Sequence, residues 1–295
     1  MKRNGLAVAA LLIVTIAWGA SFVVMKPAMN KIPVFDFLAI RFSIASLLMI
    51  AVKPKTVLAF KGETLKYGII LGIILGFAYV TQTIGLISST AAITSFITGL
   101  YVVLTPLLIW LFFKRKPNSI VALGAILATL GLAFITIKDA SFDYSQIWTM
   151  LCALGFAVHI VGLSRWSPNK DVYALTVIQL LTVAVLCWVG AAPDGIQAPL
   201  DGQVWFAILF SAVFATAIAF FFQTWAQSIM DASRVAIILT MEVVFAAATS
   251  VAVGQEVLGT QTVIGGLLML GAMLLIEWPR KFAEPEDVVY EPMPH

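Results

Sequence analysis

Charged residues are scarce in this sequence: 18 lysines and arginines and 15 aspartates and glutamates make up only 11% of 295 residues. A soluble domain typically has about a quarter of its residues charged, so an ordinary soluble domain is excluded. The chain is instead 61% hydrophobic, with a mean hydropathy of +1.01. Its net charge of +3 comes from basic residues in short loops beside apolar runs. That placement indicates membrane topology, and we expect no nucleic acid among the partners.

Histidine and cysteine are scarce as well, with two of each. Cys152 and Cys187 both lie in apolar runs, where a small buried hydrophobe is favoured over a disulfide or a metal ligand. His159 is the one histidine before the carboxyl-terminal tail, and no HExxH, GxSxG or GxxxxGK(S/T) motif is present. We therefore expect no metal, no cofactor, no ATP hydrolysis and no enzyme activity, with an intramembrane enzyme as the weakest alternative.

What the sequence does contain is ten apolar runs of roughly 20 residues, the length that crosses a ~30 Å hydrocarbon core. Because lipid offers no hydrogen-bond partners, these runs are predicted to be helices. The predicted spans are 6–25, 35–52, 67–87, 91–112, 118–137, 146–163, 172–190, 203–227, 233–253 and 260–277. The basic start followed by an apolar run is similar to a signal peptide, but we expect it to be retained because the repeat described next requires it.

The two halves of the chain repeat each other at an offset of 141 residues. QTIGLISSTAAITSFITGLYVV, which begins at Gln82, aligns with QTWAQSIMDASRVAIILTMEVV, which begins at Gln223. The same offset pairs Tyr101 with Glu242. Since each half has an odd number of spans, the second half must enter the membrane upside down relative to the first. Inverted repeats of this kind build secondary transporters, with the binding site between the halves near the bilayer midplane.

The predicted fold is therefore an all-α integral membrane protein with ten transmembrane helices in two inverted five-helix repeats. The predicted parts are a first repeat, a second repeat and a Pro-rich, acidic tail that we expect to be disordered, over residues 1–138, 139–278 and 279–295. We predict no oligomeric state, because small-residue helix faces serve packing within a chain as well as between chains.

The distribution of lysine and arginine predicts the orientation. One side of the predicted topology holds most of the basic residues: Lys2, Arg3, Lys53, Lys55, Lys61, Lys66, Lys114, Arg115, Lys116, Arg165, Lys170, Arg234, Arg280 and Lys281. The other side holds Lys26, Lys31 and Lys138, with Arg41 just inside a span. Basic loops remain cytoplasmic, so both termini are predicted to be cytoplasmic in a multi-pass protein of a bacterial inner membrane.

Glu242 is the sharpest candidate for a functional residue, because an ionisable group inside hydrocarbon is costly and usually faces a cavity or a partner. It lies near the middle of the ninth predicted span, at the depth of its repeat partner Tyr101 in the fourth. A carboxyl group there can bind a proton, a cation or a substrate amine. The alternative is a protonated structural glutamate that is hydrogen-bonded to a neighbouring helix.

Aromatic and amide side chains form a second set of candidates for substrate binding. Tyr79 and Gln82 share one face of the third span, and Gln223 occupies the repeat position in the eighth. Such a surface suits an amphipathic metabolite, although interhelical hydrogen bonding would use the same amides. Trp18 and Ser21 add a small aromatic patch in the outer half of the first span.

Four further candidates each have a structural alternative. Arg41 is a partner for Glu242 or a side chain that snorkels to the headgroups from the outer end of its span. His159, in the sixth span, is a proton relay or a hydrogen-bonded packing residue. Gly99 and Pro106 flank Tyr101 in the fourth span, where they serve as gate hinges or produce a permanent bend.

The order of several short motifs resembles the EamA type of the drug/metabolite transporter superfamily. The resemblance extends over residues 5–278 and is carried by AWGASF at 17–22, DFLAIRF at 36–42, SFITGLYVVLTPLL at 95–108, GAILATLG at 124–131, ILTMEVVFAA at 238–247 and GGLLMLG at 265–271. One departure is Val243, which stands where the family pattern has proline after the glutamate. That departure argues against a hinge in the ninth span.

The resemblance implies a basket of ten helices around a central cavity, with alternating access and export of amino acids, other metabolites or toxic compounds. Proton coupling is part of that expectation. The partners are then a small-molecule substrate, protons and the lipid bilayer. A passive channel or facilitator is the main alternative, since a channel requires no coupling group.

Overall fold

The structure is a computed structural model that describes residues 2–89, 91–136, 145–199, 201–254 and 259–277. All regular secondary structure within these residues is helical. The predicted boundary between the halves at 138 and 139, and the predicted tail 279–295, lie outside the described residues.

Thirteen α-helices make up the described part of the chain: α1 Lys2–Met25, α2 Val34–Val52, α3 Gly62–Ser88, α4 Ala91–Gly99, α5 Tyr101–Phe113, α6 Ser119–Thr136, α7 Ser145–Trp166, α8 Val172–Ala191, α9 Gly202–Ala212, α10 Ala219–Gln227, α11 Ala232–Leu239, α12 Met241–Ala252 and α13 Thr260–Glu277. Short 3₁₀ turns follow α2 and α8, at Pro54–Ala59 and Ala192–Asp194. A π-helical segment, Val213–Ile218, joins α9 to α10, so that the three form one continuous helix.

Within the described residues, seven segments are long and apolar enough to cross a membrane, judged by length and composition: Asn4–Met25, Val34–Val52, Gly62–Ile87, Gln146–Trp166, Val172–Asp194, Gly202–Gln227 and Ala232–Ala252. Shorter apolar segments, Ile97–Phe113, Ser119–Phe134 and Val263–Ile276, cover the remaining predicted spans. The outside of the bundle is apolar too: Phe112 is 69% exposed and Leu267 is 63% exposed. A surface of this kind fits a lipid environment.

The fourth predicted span is two helices, not one, because the α-helix is interrupted at Leu100. The break lies before Tyr101, while α5 continues through Pro106. Gly99, the last residue of α4, is therefore at the break, and Pro106 is not.

The ninth predicted span is also two helices, interrupted at Thr240 between α11 and α12. Proline after Glu242 is therefore not required for an interruption of the helix in this span. Thr240 Oγ1 donates to the Ile237 carbonyl at 2.7 Å at this interruption. Since the repeat offset maps Gly99 onto Thr240, the two breaks occupy equivalent places to within one residue.

Helices from the two halves alternate in the bundle. α6 packs along α13, α2 along α8, α3 along α7 and α8, and α1 along α10 and α12. The contact between α1 and α12 is a close one, because a Cβ on Gly19 would lie 2.6 Å from both the Glu242 carbonyl oxygen and the Ala246 nitrogen. Glycine at this position lets the two backbones touch directly beside Glu242.

Candidate functional site

A narrow cavity lies at the centre of the bundle. Both halves of the chain line it, through Trp18, Ser21, Phe22, Met25, Arg41, Tyr79, Gln82, Thr83, Leu86, Thr98, Tyr101, Phe156, Ile160, Gln223, Leu239 and Glu242. Eight of these side chains are site residues predicted from the sequence: Trp18, Ser21, Arg41, Tyr79, Gln82, Tyr101, Gln223 and Glu242. The structure thus brings most of the predicted residues together in one place.

The two helix breaks present Glu242 and Tyr101 to this cavity. Tyr101 is the first residue of α5 and Glu242 the second of α12, and both are buried, at 2% and 4% exposure. Their side chains are close enough to interact with each other. Even so, Tyr101 Oη and Glu242 Oε1 have no hydrogen-bond partner among the described residues. Because unpaired buried polar atoms are costly, a bound ligand, water or proton is the natural partner for them.

Aromatic rings form one wall of the cavity around Tyr79. Its ring meets Phe42 at 5.0 Å, Phe156 at 5.5 Å and Phe220 at 5.9 Å between centroids, all edge to face. Trp18 contacts Phe220 in turn, at 5.6 Å. Interlocked rings change shape little, so this wall offers a preformed apolar surface to a ligand.

Arg41 lies inside the protein at 1% exposure, so the predicted snorkelling to the headgroups was wrong. Its guanidinium carbon is 5.0 Å from the centre of the Tyr79 ring, and Nε donates to Thr216 Oγ1 at 2.7 Å. Among the described residues no carboxylate forms an ion pair with it, so the predicted pairing with Glu242 is not formed. The cation is held instead by rings, a hydroxyl and a carbonyl.

The π-helical segment explains why Arg41 and Trp18 point toward the eighth predicted span. A π-helix displaces backbone carbonyls from the regular α-helical pattern. The Ala215 carbonyl accepts a hydrogen bond from Trp18 Nε1 at 2.9 Å and a longer one from Arg41 Nη2 at 3.4 Å. Side chains of the first two helices therefore fix the backbone of the eighth span beside the cavity.

The two glutamines differ in how freely they face the cavity. Gln82 is partly buried and donates one long hydrogen bond, 3.5 Å, to Thr98 Oγ1. Gln223 donates to Gln227 Oε1 at 3.0 Å, while its own Oε1 has no partner among the described residues. Ser21 Oγ donates to the Trp18 carbonyl within α1. Amide oxygens and nitrogens thus remain available for a ligand.

His159, Gly99 and Pro106 are not among the residues that line the cavity. His159 is fully buried, with Nε2 2.8 Å from Gln179 Oε1 on α8 and its ring against Phe220. That contact fits the packing alternative given for this histidine. A Cβ on Gly99 would meet the Leu132 side chain at 3.0 Å, and Pro106 lies on a separate outer groove.

Several lining residues, among them Phe22, Leu86, Thr98 and Phe156, were not predicted. In spans that are apolar all round, an apolar residue facing a cavity has the same sequence signal as one facing lipid or core. Thr98 had a usable signal, since it is a polar residue one turn from Tyr101. No residue type in the segment Val213–Ile218 predicts that it is π-helical.

Comparison with known proteins identifies relatives over nearly the whole chain. An uncharacterized transporter of Archaeoglobus fulgidus is 32% identical over 266 residues, which cover 90% of this chain and 84% of that protein. The uncharacterized transporter YoaV of Bacillus subtilis is 24% identical, over 89% of this chain and 91% of its own. The biotin transporter of Escherichia coli K12 is 27% identical over 204 residues, or 64% of this chain and 66% of that protein.

One solved crystal structure superposes with a TM-score of 0.75 over 90% of this chain and 96% of its own, at 16% sequence identity, and so shares the fold. Apolar membrane-length helices and relatives named as transporters together define a multi-pass membrane transporter. Residues 5–137 and 144–278 each match the EamA-like transporter family. The chain belongs to that family, as the resemblance in its sequence implied.

Arg41→Lys is expected to destabilise the protein by about 1–3 kcal/mol, because a buried hydrogen-bonded group loses its partners. A lysine ammonium cannot keep the planar contact with Tyr79 while donating to Thr216, as the guanidinium does. The measurement is reversible unfolding in detergent micelles. The matched control is Arg115→Lys, at an exposed loop position, which should change stability by less than about 0.5 kcal/mol. Equal stabilities of the two variants would contradict a structural role for Arg41.

Proposed function

We propose that this chain is a secondary active transporter that moves a small amphipathic metabolite, such as an amino acid or a drug-like compound, by alternating access. The observation that carries the proposal is the buried cavity, which combines an aromatic wall with the unpartnered polar atoms of Glu242 and Tyr101. A site of this composition suits a ligand with one apolar and one polar part. Outward transport across a bacterial inner membrane, with both termini cytoplasmic, is part of the proposal.

The architecture we propose is ten spans in two inverted repeats, with the halves meeting at the cavity. The packing supports it. If each helix is replaced by its repeat partner in the other half, every major helix–helix contact corresponds to another contact that is also present. The contact of α3 with α7 maps onto that of α10 with α1, and the contact of α1 with α12 maps onto that of α7 with α5. Rocking of such halves about a shared cavity is how inverted-repeat transporters alternate.

Glu242 is the proposed coupling or binding group. It lies beside the break in the ninth span, where one helix ends and the next begins, so small backbone changes would alter its access to either side. A carboxyl that is protonated on one side of the membrane and deprotonated on the other would couple transport to a proton gradient. Tyr101 faces it from the equivalent break in the other half.

Arg41 supports a substrate that carries an anionic group. Its three contacts with Met25, Thr216 and Ala215 leave further guanidinium N–H donors free, and the side chain lines the cavity. Because Tyr79 contacts Arg41 and is within electrostatic reach of Glu242, a bound molecule would lie along the Tyr79 ring between the two. The Escherichia coli relative is named a biotin transporter, which makes biotin a reasonable compound to test.

The test of this proposal is flux into and out of liposomes that contain the purified protein, under an imposed pH gradient. The panel should contain biotin, aromatic amino acids and aliphatic amino acids. We expect at least one compound to accumulate against its own gradient, with a saturable rate that a protonophore abolishes. Flux that is linear in concentration and stops at equal concentrations would instead support the passive facilitator.

A further inference from the structure

A second cavity lies on the outside of the bundle, between α5 and α6. It is an open groove lined by Val103, Pro106, Leu107, Trp110, Pro117, Ala122, Ala125, Ile126, Thr129 and Leu130. Its one hydroxyl, Thr129 Oγ1, donates to the Ala125 carbonyl at 2.7 Å within its own helix. Apart from the Trp110 indole and this satisfied hydroxyl, the lining side chains are aliphatic or proline, so an aliphatic chain is the ligand that suits the groove.

Three consecutive cations stand at one end of this groove. Lys114, Arg115 and Lys116 form the exposed loop between α5 and α6, between the groove residues Trp110 and Pro117. In the described part of the chain none of the three forms an ion pair. The sequence from 101 to 136 contains no aspartate or glutamate at all. The positive charge of the loop is therefore left for a partner to neutralise.

We propose that the groove and its basic loop bind an anionic phospholipid, with an acyl chain along α5 and α6 and the phosphate on the loop. The groove lies in an apolar face that fits hydrocarbon, and the loop stands at the end of those helices, where headgroups would lie. Basic clusters next to membrane helices attract acidic headgroups. A neutral phospholipid would fill the groove equally well but would leave the three cations unpaired.

The same charges argue against a second copy of this chain as the occupant. A two-fold contact through this face would bring two Lys114–Lys116 loops toward each other, and like charges repel without a compensating carboxylate. The partner has to be apolar along its length and negative at one end, and an acidic phospholipid is both.

The test is native mass spectrometry of the full-length protein in neutral detergent, titrated with phosphatidylglycerol or phosphatidylcholine of identical acyl chains. Each basic residue at a membrane surface contributes about a fivefold change in affinity, so we expect at least a tenfold preference for phosphatidylglycerol. The triple variant Lys114→Gln, Arg115→Gln, Lys116→Gln should lose it. The matched triple variant Lys55→Gln, Lys61→Gln, Lys66→Gln removes as much charge from another exposed segment, around the start of α3, and should keep the preference.

A groove variant separates the acyl chain from the headgroup. Ala122→Phe places a ring in the groove without altering any charge, and it should weaken the most tightly bound copy of either lipid. Equal affinity for the two lipids in the wild type would overturn the proposal, as would loss of preference in both triple variants. Lipid-independent dimers that Ala122→Phe dissociates would also overturn it, by assigning the face to a second copy.

Discussion

Glu242→Gln is expected to lower gradient-driven transport in liposomes by about 100-fold or more, the scale set by removing a charged hydrogen-bonding group from a buried site. Glutamine has nearly the same volume as glutamate and carries no charge, so the bundle should fold. It cannot bind and release a proton, so the cycle would lose its coupling group. The measurement is initial flux under an imposed pH gradient, with folding checked by size-exclusion chromatography.

The control for this variant is Glu63→Gln, at an exposed glutamate on the first turn of α3 that contacts Lys170. That change removes one carboxylate from the surface and should leave flux close to that of the wild type. If Glu242→Gln and the wild type showed equal gradient-driven flux, the role assigned to Glu242 would be wrong, although transport itself would stand. A variant that is unfolded would instead support the structural alternative for this residue.

Gly19→Ala should destabilise the protein by about 1–3 kcal/mol, the cost of overpacking a tight contact, and should impair transport as well. The new methyl group would lie 2.6 Å from two backbone atoms of α12. Backbone atoms cannot turn aside as a side-chain end can, so α1 and α12 must separate. Separation at this point would shift Glu242, whose carbonyl is one of the two contacts.

The matched substitution is Gly5→Ala, in the same helix. A Cβ there meets nothing within 4 Å, and alanine favours helix by about 1 kcal/mol over glycine, so this variant should be no less stable than the wild type. Both variants are compared by unfolding in detergent and by flux. Similar stabilities and fluxes of Gly19→Ala and Gly5→Ala would show that neither folding nor transport requires the close approach of α1 to α12.

Most of the candidate site could be predicted because polar groups are expensive inside a membrane. Glu242, Gln82 and Gln223 stand out in runs of apolar residues, and the repeat offset pairs Tyr101 with Glu242. The helical fold class followed from the length and apolar character of the runs, and the described residues confirm an all-helical protein. The repeat inversion remains a proposal.

Backbone irregularities could not be predicted, since no residue type specifies them. At the break in the ninth span Thr240 donates a hydrogen bond to its own helix, but many membrane threonines do so without a break. The π-helical segment at 213–218 is fixed by donors from distant helices, such as Trp18. For Arg41 the sequence left pairing with Glu242 and snorkelling both open; contacts that the sequence does not specify, with rings and a hydroxyl from other helices, hold it inside.

The most direct test of the central claim, that this cavity opens alternately to the two sides of the membrane, is thiol accessibility at Ser21. The chain has two cysteines, both buried, and Cys152→Ala with Cys187→Ala removes them. In that background Ser21→Cys supplies the sole reactive thiol, at a residue that lines the cavity. An impermeant maleimide is applied to right-side-out and to inside-out vesicles. The account predicts that Ser21→Cys is labelled from either side, and that Gly19→Leu, which wedges α1 from α12, disturbs this balance. Labelling from one side only, or from neither, would contradict alternating access through this cavity.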